Sequence, residues 1–196
     1  MSESYKIVIA DDEAILCMDL KEILEDAGHE VVGIAGDGLQ ALELVKEKKP
    51  DLTILDVKMP KLDGLQAAKL IAHDNLSPVV LLTAFGDDEI IEKAKKSNVF
   101  GYIMKPVEEK RLFPAIQIAV SQFRNKMEIS ARVKDMEREL ASHKIIERAK
   151  GLLIDYYHIT EEEAHRKMQQ VSMKRGLALS EVAQRVVKEI MLKKNK

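Results

Sequence analysis

Five residues stand where short apolar runs end, and together they could do chemistry. Asp11 and Asp12 follow the run 5–10, Asp56 follows 52–55, Thr83 follows 79–82, and Lys105 follows 99–104 just before Pro106. Three carboxylates drawn together repel one another, and a hard divalent cation relieves that repulsion. Mg²⁺ in particular takes a few oxygen ligands along with waters and phosphate oxygens. A lysine beside such a cluster can pair with an incoming phosphoryl oxygen, and a threonine hydroxyl can donate to another. The set suits transfer of a phosphoryl group to a carboxylate nucleophile. Singly, each residue has a simpler reading, because Asp after a strand is often only the N-cap of the next helix. Their spread over four run ends is what carries the argument.

To converge, these residues need a common scaffold. The five apolar runs (the four above and 31–35) are short and rich in Val, Ile and Leu, as strands buried on both faces should be. Amphipathic stretches of about ten residues lie between them and stop at Gly28, near Pro50 and before Pro78. Alternating strands and helices predict a doubly wound parallel α/β sheet, whose site lies at the carboxyl ends of the strands where the strand order reverses. The composition agrees with a packed domain: 196 residues, 46% hydrophobic, no Trp, and aromatics at only 4%, so aliphatic side chains must build the core. One cysteine, Cys17, excludes an internal disulfide framework and is expected to be a small core residue. No apolar run is long enough for a membrane span. The N-terminal residues lack a basic stretch before a long apolar one, so a cytoplasmic protein without a signal peptide is expected.

Beyond Pro106 the strand signals stop. Ile116, Val120, Phe123 and Met127 follow a 4-3-4 spacing; after a slip of phase, Ile129, Val133, Met136 and Leu140 repeat it. This predicts a long helix that either packs on its own chain or pairs two chains as a stalk. The tail from His143 reads as three short helices. Gly151 is expected inside the first as a close-packing point, Thr160 and Glu163 form a capping box for the second, and Gly176 closes it. Val182, Val186 and Ile190 stripe the third. Residues 143–196 carry a net charge of +5 and the remainder −7, which suggests different partners for the two parts. His29, His73, His143, His158 and His165 have no metal-ligand spacing and are expected to be structural or exposed.

From Lys6 to about Phe123 the chain resembles the receiver domain of two-component response regulators. The resemblance rests on Ile9-Ala10-Asp11-Asp12-Glu13, on Leu55-Asp56-Val57-Lys58-Met59-Pro60, on Asp63-Gly64, on Thr83-Ala84 and on Lys105-Pro106. It implies a flavodoxin-like five-stranded parallel sheet, with Asp56 accepting a phosphoryl group from a sensor histidine kinase. It also implies Mg²⁺ held by Asp12, Asp56 and the backbone carbonyl of Lys58, with Asp11 assisting through water. Thr83 and Lys105 would contact the phosphoryl oxygens. Tyr102 would be the aromatic that follows Thr83 in the switch, or else a half-buried strand-end tyrosine. That switch is expected to alter the face near the fourth and fifth helices. A haloacid-dehalogenase enzyme would share an Asp nucleophile and Mg²⁺, but its Asp-x-Asp signature is missing at Asp56-Val57-Lys58. The chain is thus expected to be no enzyme beyond its own phosphoryl transfer and dephosphorylation.

Residues from roughly Leu140 to Val187 resemble an ANTAR domain, the RNA-binding output of antiterminator regulators. The motif stretches are Ile146-Glu147-Arg148-Ala149-Lys150-Gly151-Leu152-Leu153, Glu163-Ala164, Ser172-Met173, and Leu179 with Val182-Ala183; Ile154 and His165 depart from it. This implies binding to paired RNA hairpins in mRNA leaders by a homodimer formed on phosphorylation, with antitermination as the outcome. Arg148, Lys150, Arg166, Lys167, Lys174 and Arg175 are the candidate RNA contacts. Tyr156 and Tyr157 are expected in the core, or alternatively stacked on a base. The expected partition is a receiver over 1–123, a helical coiled-coil linker over 124–142 and the ANTAR domain over 143–196. The match is closest to regulators of ethanolamine utilisation. A receiver-controlled DNA-binding factor remains the alternative, since the Gly176-Leu177-Ala178 turn also permits a helix-turn-helix.

Overall fold

The computed structural model describes residues 3–84 and 99–194. The chain divides into two compact units, Met1–Met127 and Glu128–Lys196. In the first, the elements run β1 (Lys6–Ala10), α1 (Ala14–Asp26), β2 (Glu30–Ala35), α2 (Gly38–Lys48), β3 (Leu52–Asp56), α3 (Gly64–His73), β4 (Val79–Thr83) and β5 (Gly101–Met104). All pairings are parallel, in the order β2-β1-β3-β4-β5. The strand order therefore reverses at β1, between β2 on one side and β3 on the other. The helix expected between β4 and β5, and with it part of the expected switch face, lies outside the described residues.

Burial follows position in the sheet. Every residue of β3 and β4 is buried. The edge strand β2 is largely half-exposed, and β5 is buried only at Ile103. The expectation of strands covered on both faces thus holds for β3 and β4 and fails at β2 and β5, which among the described residues pair on one side only. Two aliphatic cores sandwich the sheet. One joins Ile7, Ile9 and Leu82 to α1 residues Leu20 and Leu24. The other joins Val8, Leu55 and Leu81 to α2 and α3 through Val45 and Ile71. Cys17 lies in the first core as expected, 2% exposed.

The helix after β5, α4, spans Glu109–Tyr157 without a break. The expected linker and the first tail helix are therefore parts of one element. Pro114 is its sixth residue, one turn deeper than the start, and has no N–H to give the carbonyl of Lys110. Along α4 the phase slip separates two roles. Leu112, Ile116, Ala119 and Val120 are buried in the receiver-like core, whereas Ile129, Val133, Met136 and Leu140 are 47–67% exposed. Of the first stripe, Ile116 and Val120 pack on their own chain, Phe123 is half-buried and Met127 is 40% exposed, while the second stripe faces outward.

The second unit adds α5 (Glu161–Arg175) and α6 (Leu179–Lys194) to the end of α4. Its core is Ala149, Leu153, Ala164, Met168, Val182, Ala183, Val187 and Ile190. The capping box forms: Glu163 N donates to Thr160 Oγ1 at 3.3 Å and Thr160 N to Glu163 Oε2 at 2.9 Å. Gly176 closes α5 with φ +62°, a left-handed cap that suits glycine. Two expectations are corrected here. Gly151 is inside a helix but exposed, and a Cβ there would meet nothing within 4 Å, so it is no close-packing point. Tyr156 and Tyr157 are 39% and 50% exposed and lie edge-to-face with each other at the end of α4 instead of entering the core, which is built from aliphatic side chains and Met168.

Candidate functional site

The carboxyl ends of β1, β3, β4 and β5 bring together most of the residues singled out by spacing. Asp11 and Asp56 are buried, Asp12 is exposed, and one carboxylate oxygen from each lies within 4.8 Å of the others. Lys105, just past β5, bridges two of them: its Nζ is 2.8 Å from Asp11 Oδ2 and 2.6 Å from Asp56 Oδ1. The Lys58 backbone N–H donates to the other Asp56 oxygen at 2.7 Å. Asp11 is fixed in turn, since its Oδ1 accepts from Glu13 N at 3.0 Å. Thr83 ends β4 on the same edge, buried, its backbone carbonyl accepting from Lys105 N at 2.8 Å. Its hydroxyl donates to the Ala84 carbonyl at 3.4 Å. Tyr102 lies on β5 opposite Leu81 and is 45% exposed. The Lys105–Pro106 peptide is cis.

Electrostatics in this pocket pull in opposite directions. Burial raises the Asp56 carboxyl above the usual range, against the hydrogen bond and charge of Lys105, which act to lower it. Burial also works to lower the Lys105 ammonium, but its hydrogen bonds to Asp11 and Asp56 outweigh that and hold it above an ordinary lysine. Three carboxylates against one ammonium leave the cluster with two excess negative charges when ionised. An all-oxygen donor set with that charge deficit fits a hard divalent ion such as Mg²⁺.

Spacing alone missed the devices that hold the loop after Asp56. A Cβ on Gly64 would lie 1.9 Å from the Asp56 carbonyl oxygen, so only glycine lets α3 begin so close to β3. A Cβ on Gly38 would lie 2.3 Å from the Leu62 carbonyl oxygen. Beside it, Lys61 reaches the buried Asp37 at 2.6 Å and holds its carboxyl below the usual range, while Asp37 also caps α2. The Asp63-Gly64 pair was visible in the sequence; the Asp37–Lys61 pair, 24 residues apart, had no local signal.

The six basic candidates of the tail differ in circumstance. Lys150 is mostly covered and its Nζ lies 2.7 Å from both Glu147 and Glu161, which tie α4 to the first turn of α5. Arg166 pairs with Glu162 at 2.9 Å, and Arg148 meets the Met191 sulfur at 3.8 Å. Among the described residues, Lys167, Lys174 and Arg175 have no ion-pair partner and are exposed.

Comparison with known proteins bears on both units. Residues 7–117 match the family described as response regulator receiver domain, and residues 134–187 match the ANTAR domain. The chain is 41% identical over 185 residues, 94% of its length and 90% of the relative's, to the transcriptional regulatory protein PdtaR of Mycobacterium tuberculosis. It is 35% identical over 112 residues to the chemotaxis protein CheY of Thermotoga maritima, covering 57% of this chain and 93% of that one. Among solved structures, the receiver domain of the putative response regulator NarL from M. tuberculosis aligns with TM-score 0.58 at 29% identity, over 61% of this chain and 98% of that one. These names speak of transcription and chemotaxis, and none of them of ethanolamine utilisation.

Proposed function

Because this chain belongs to the response regulators that join a receiver domain to an ANTAR domain, we propose that Asp56 accepts a phosphoryl group from a sensor histidine kinase and that the dimeric ANTAR output then binds RNA hairpins to cause transcription antitermination. In this reading an Asp56 carboxylate oxygen forms a bond to phosphorus as the bond from phosphorus to the kinase imidazole breaks, giving an acyl phosphate. Asp11, Asp12, Asp56 and the Lys58 carbonyl would hold Mg²⁺, which when bound offsets the charge on the transferring group. Lys105 exchanges its contact with Asp56 for a phosphoryl oxygen, and Thr83 donates to another. Tyr102 follows Thr83. The observation that carries this reading is Lys105 bridging two buried carboxylates of a three-carboxylate cluster.

Phosphorylation adds roughly −1.5 to −2 of charge, less the carboxylate charge it replaces. Moving a population from 1:99 to 99:1 takes about 5.5 kcal/mol, so dimerisation and RNA binding share that load with the modification. We take the receiver as 1–123, the coiled-coil linker as 124–142 and the ANTAR domain as 143–196. The receiver's chemistry is confined to its own phosphoryl transfer and dephosphorylation, and the protein acts in the cytoplasm. Among the described residues no helix is long and apolar enough to cross a membrane.

Intact-mass analysis after incubation with acetyl phosphate and Mg²⁺ tests the first half. The parent protein gains one phosphoryl group and Asp56→Asn gains none; an aspartyl-phosphate on the substituted protein would end the assignment. Equilibrium binding to an RNA leader against its duplex DNA copy tests the second half. Preference for the duplex would turn the reading to a DNA-binding factor.

A further inference from the structure

Between α5 and α6 lies a groove of about 240 Å³. Its apolar lining includes Leu153 of α4, buried Met168 and Val182, and the more open Val171 and Val186. Lys167 and Arg175 line it from α5 and Arg185 from α6, with Glu189 as the one acidic side chain. Among the described residues none of these three cations has an ion-pair partner, in contrast to Lys150 and Arg166 in the same unit.

That combination is a poor arrangement for a protein surface left to water. Three unpaired cations repel one another, and aliphatic floor is left partly uncovered between them. It complements a ligand that is apolar and flat in the middle and anionic on either side. An unpaired nucleotide has that form: a base with two uncovered faces, flanked by phosphates. In a duplex the base faces are stacked and hidden, whereas a hairpin loop can splay a base out.

We infer that this groove holds an unpaired RNA loop base against Val171 and Val186, with the neighbouring phosphates on Lys167, Arg175 and Arg185. The inference rests on the RNA-binding reading above and names the face that does the binding. Arg185 enters as a contact that the motif spacing did not single out. Glu189 can accept a hydrogen bond from an exocyclic amine. Adenine, cytosine and guanine carry one; uracil offers only its N3–H, set between two carbonyl oxygens that a carboxylate repels, so uracil is the disfavoured occupant.

The test uses the full chain, phosphorylated with acetyl phosphate and Mg²⁺, titrated with a pool of hairpin RNAs of randomised loop sequence at several salt concentrations. Lys167→Ala with Arg185→Ala should flatten the slope of log affinity against log salt by roughly 1.5, the loss of two phosphate contacts. Lys144→Ala, an exposed cation on α4 away from the groove, should leave the slope at the parent value. Val171→Glu alters a residue already 40% exposed, so the helical fold should survive, checked by circular dichroism. It should lower affinity about tenfold, as loss of a base contact does. Glu189→Ala should narrow the gap between all-uracil and all-adenine loops. If the parent chain binds the pool while the double alanine variant keeps its slope and Val171→Glu keeps its affinity, the groove assignment is overturned and RNA binding stands. If the parent binds no RNA, both readings fail together.

Discussion

Asp12 is the exposed member of the acidic cluster, so it can be changed with little disturbance of the core. Asp12→Ala should weaken Mg²⁺ binding while leaving thermal stability near that of the parent, because the change removes an anionic oxygen from a hard-cation site but no buried contact. Calorimetric titration with Mg²⁺ checks this, and an unchanged isotherm would remove Asp12 from the ligand set. At the opposite end of the sheet His29 stacks on Tyr5 at 5.4 Å, and its Nδ1 accepts from Tyr5 N at 3.3 Å. Burial lowers its pKa below the ordinary 6.5. The unfolded chain therefore takes up a proton before the folded one does. The contribution of neutral His29 is present in full above the ordinary value and is lost as pH falls through and below 6.5. Urea midpoints at pH 7.5 and 5.5 should fall less in His29→Gln than in the parent protein.

At the scale of elements, two glycines should respond in opposite ways to the same change. Gly64→Ala puts a methyl against the backbone of Asp56 and should cost about 1–3 kcal/mol, typical of overpacking, and slow phosphorylation as the loop shifts. Gly151→Ala adds a methyl in open space inside a helix and should stabilise the second unit by about 0.5–1 kcal/mol. Denaturant unfolding reads both, and a destabilised Gly151→Ala would mean that position 151 is covered after all. Part of this architecture is legible in the sequence and part is not. Strand ends were legible because buried strands leave continuous apolar runs, and those ends bring Asp11, Asp56 and Lys105 together. Caps were legible because Thr160-Glu163 and Gly176 act within one turn. The surroundings of Gly151 are not legible, because a glycine between Lys150 and Leu152 is the same letter whether it meets a neighbouring helix or water. The same holds for the Tyr156–Tyr157 pair, since helical phase near a chain turn does not fix which face is covered. Long-range partners such as Asp37 and Lys61 have no local period to reveal them.

For the whole molecule, the dimer proposed above would seat its second copy on the outward stripe Ile129, Val133, Met136 and Leu140. Met136→Lys with Leu140→Lys should leave each unit folded, since both side chains are exposed, yet abolish any dimer that forms on phosphorylation. Sedimentation of the acetyl-phosphate-treated protein reads this. Two linked heads can gain roughly 10²–10⁴ in avidity without a new contact, so the phosphorylated parent should prefer two-hairpin over one-hairpin RNA and the double lysine variant should not. Equal affinity of the phosphorylated parent for both RNAs would reject the two-headed arrangement.

Asp56 accepts from two donors at once, Lys105 through Oδ1 and the Lys58 backbone through Oδ2. An amide in its place has one oxygen and one NH₂. Whichever way it is flipped, one donor of the pocket then faces another donor, and one of the two tethers must let go. Either the loop over 57–60 slackens or Lys105 swings wholly to Asp11. Asparagine at 56 is therefore an altered resting state and not a silent one. Its behaviour in cells would report a disturbed loop together with the loss of the proposed phosphoryl acceptor, and amide exchange at Lys58, faster if that tether yields, tells which donor was abandoned.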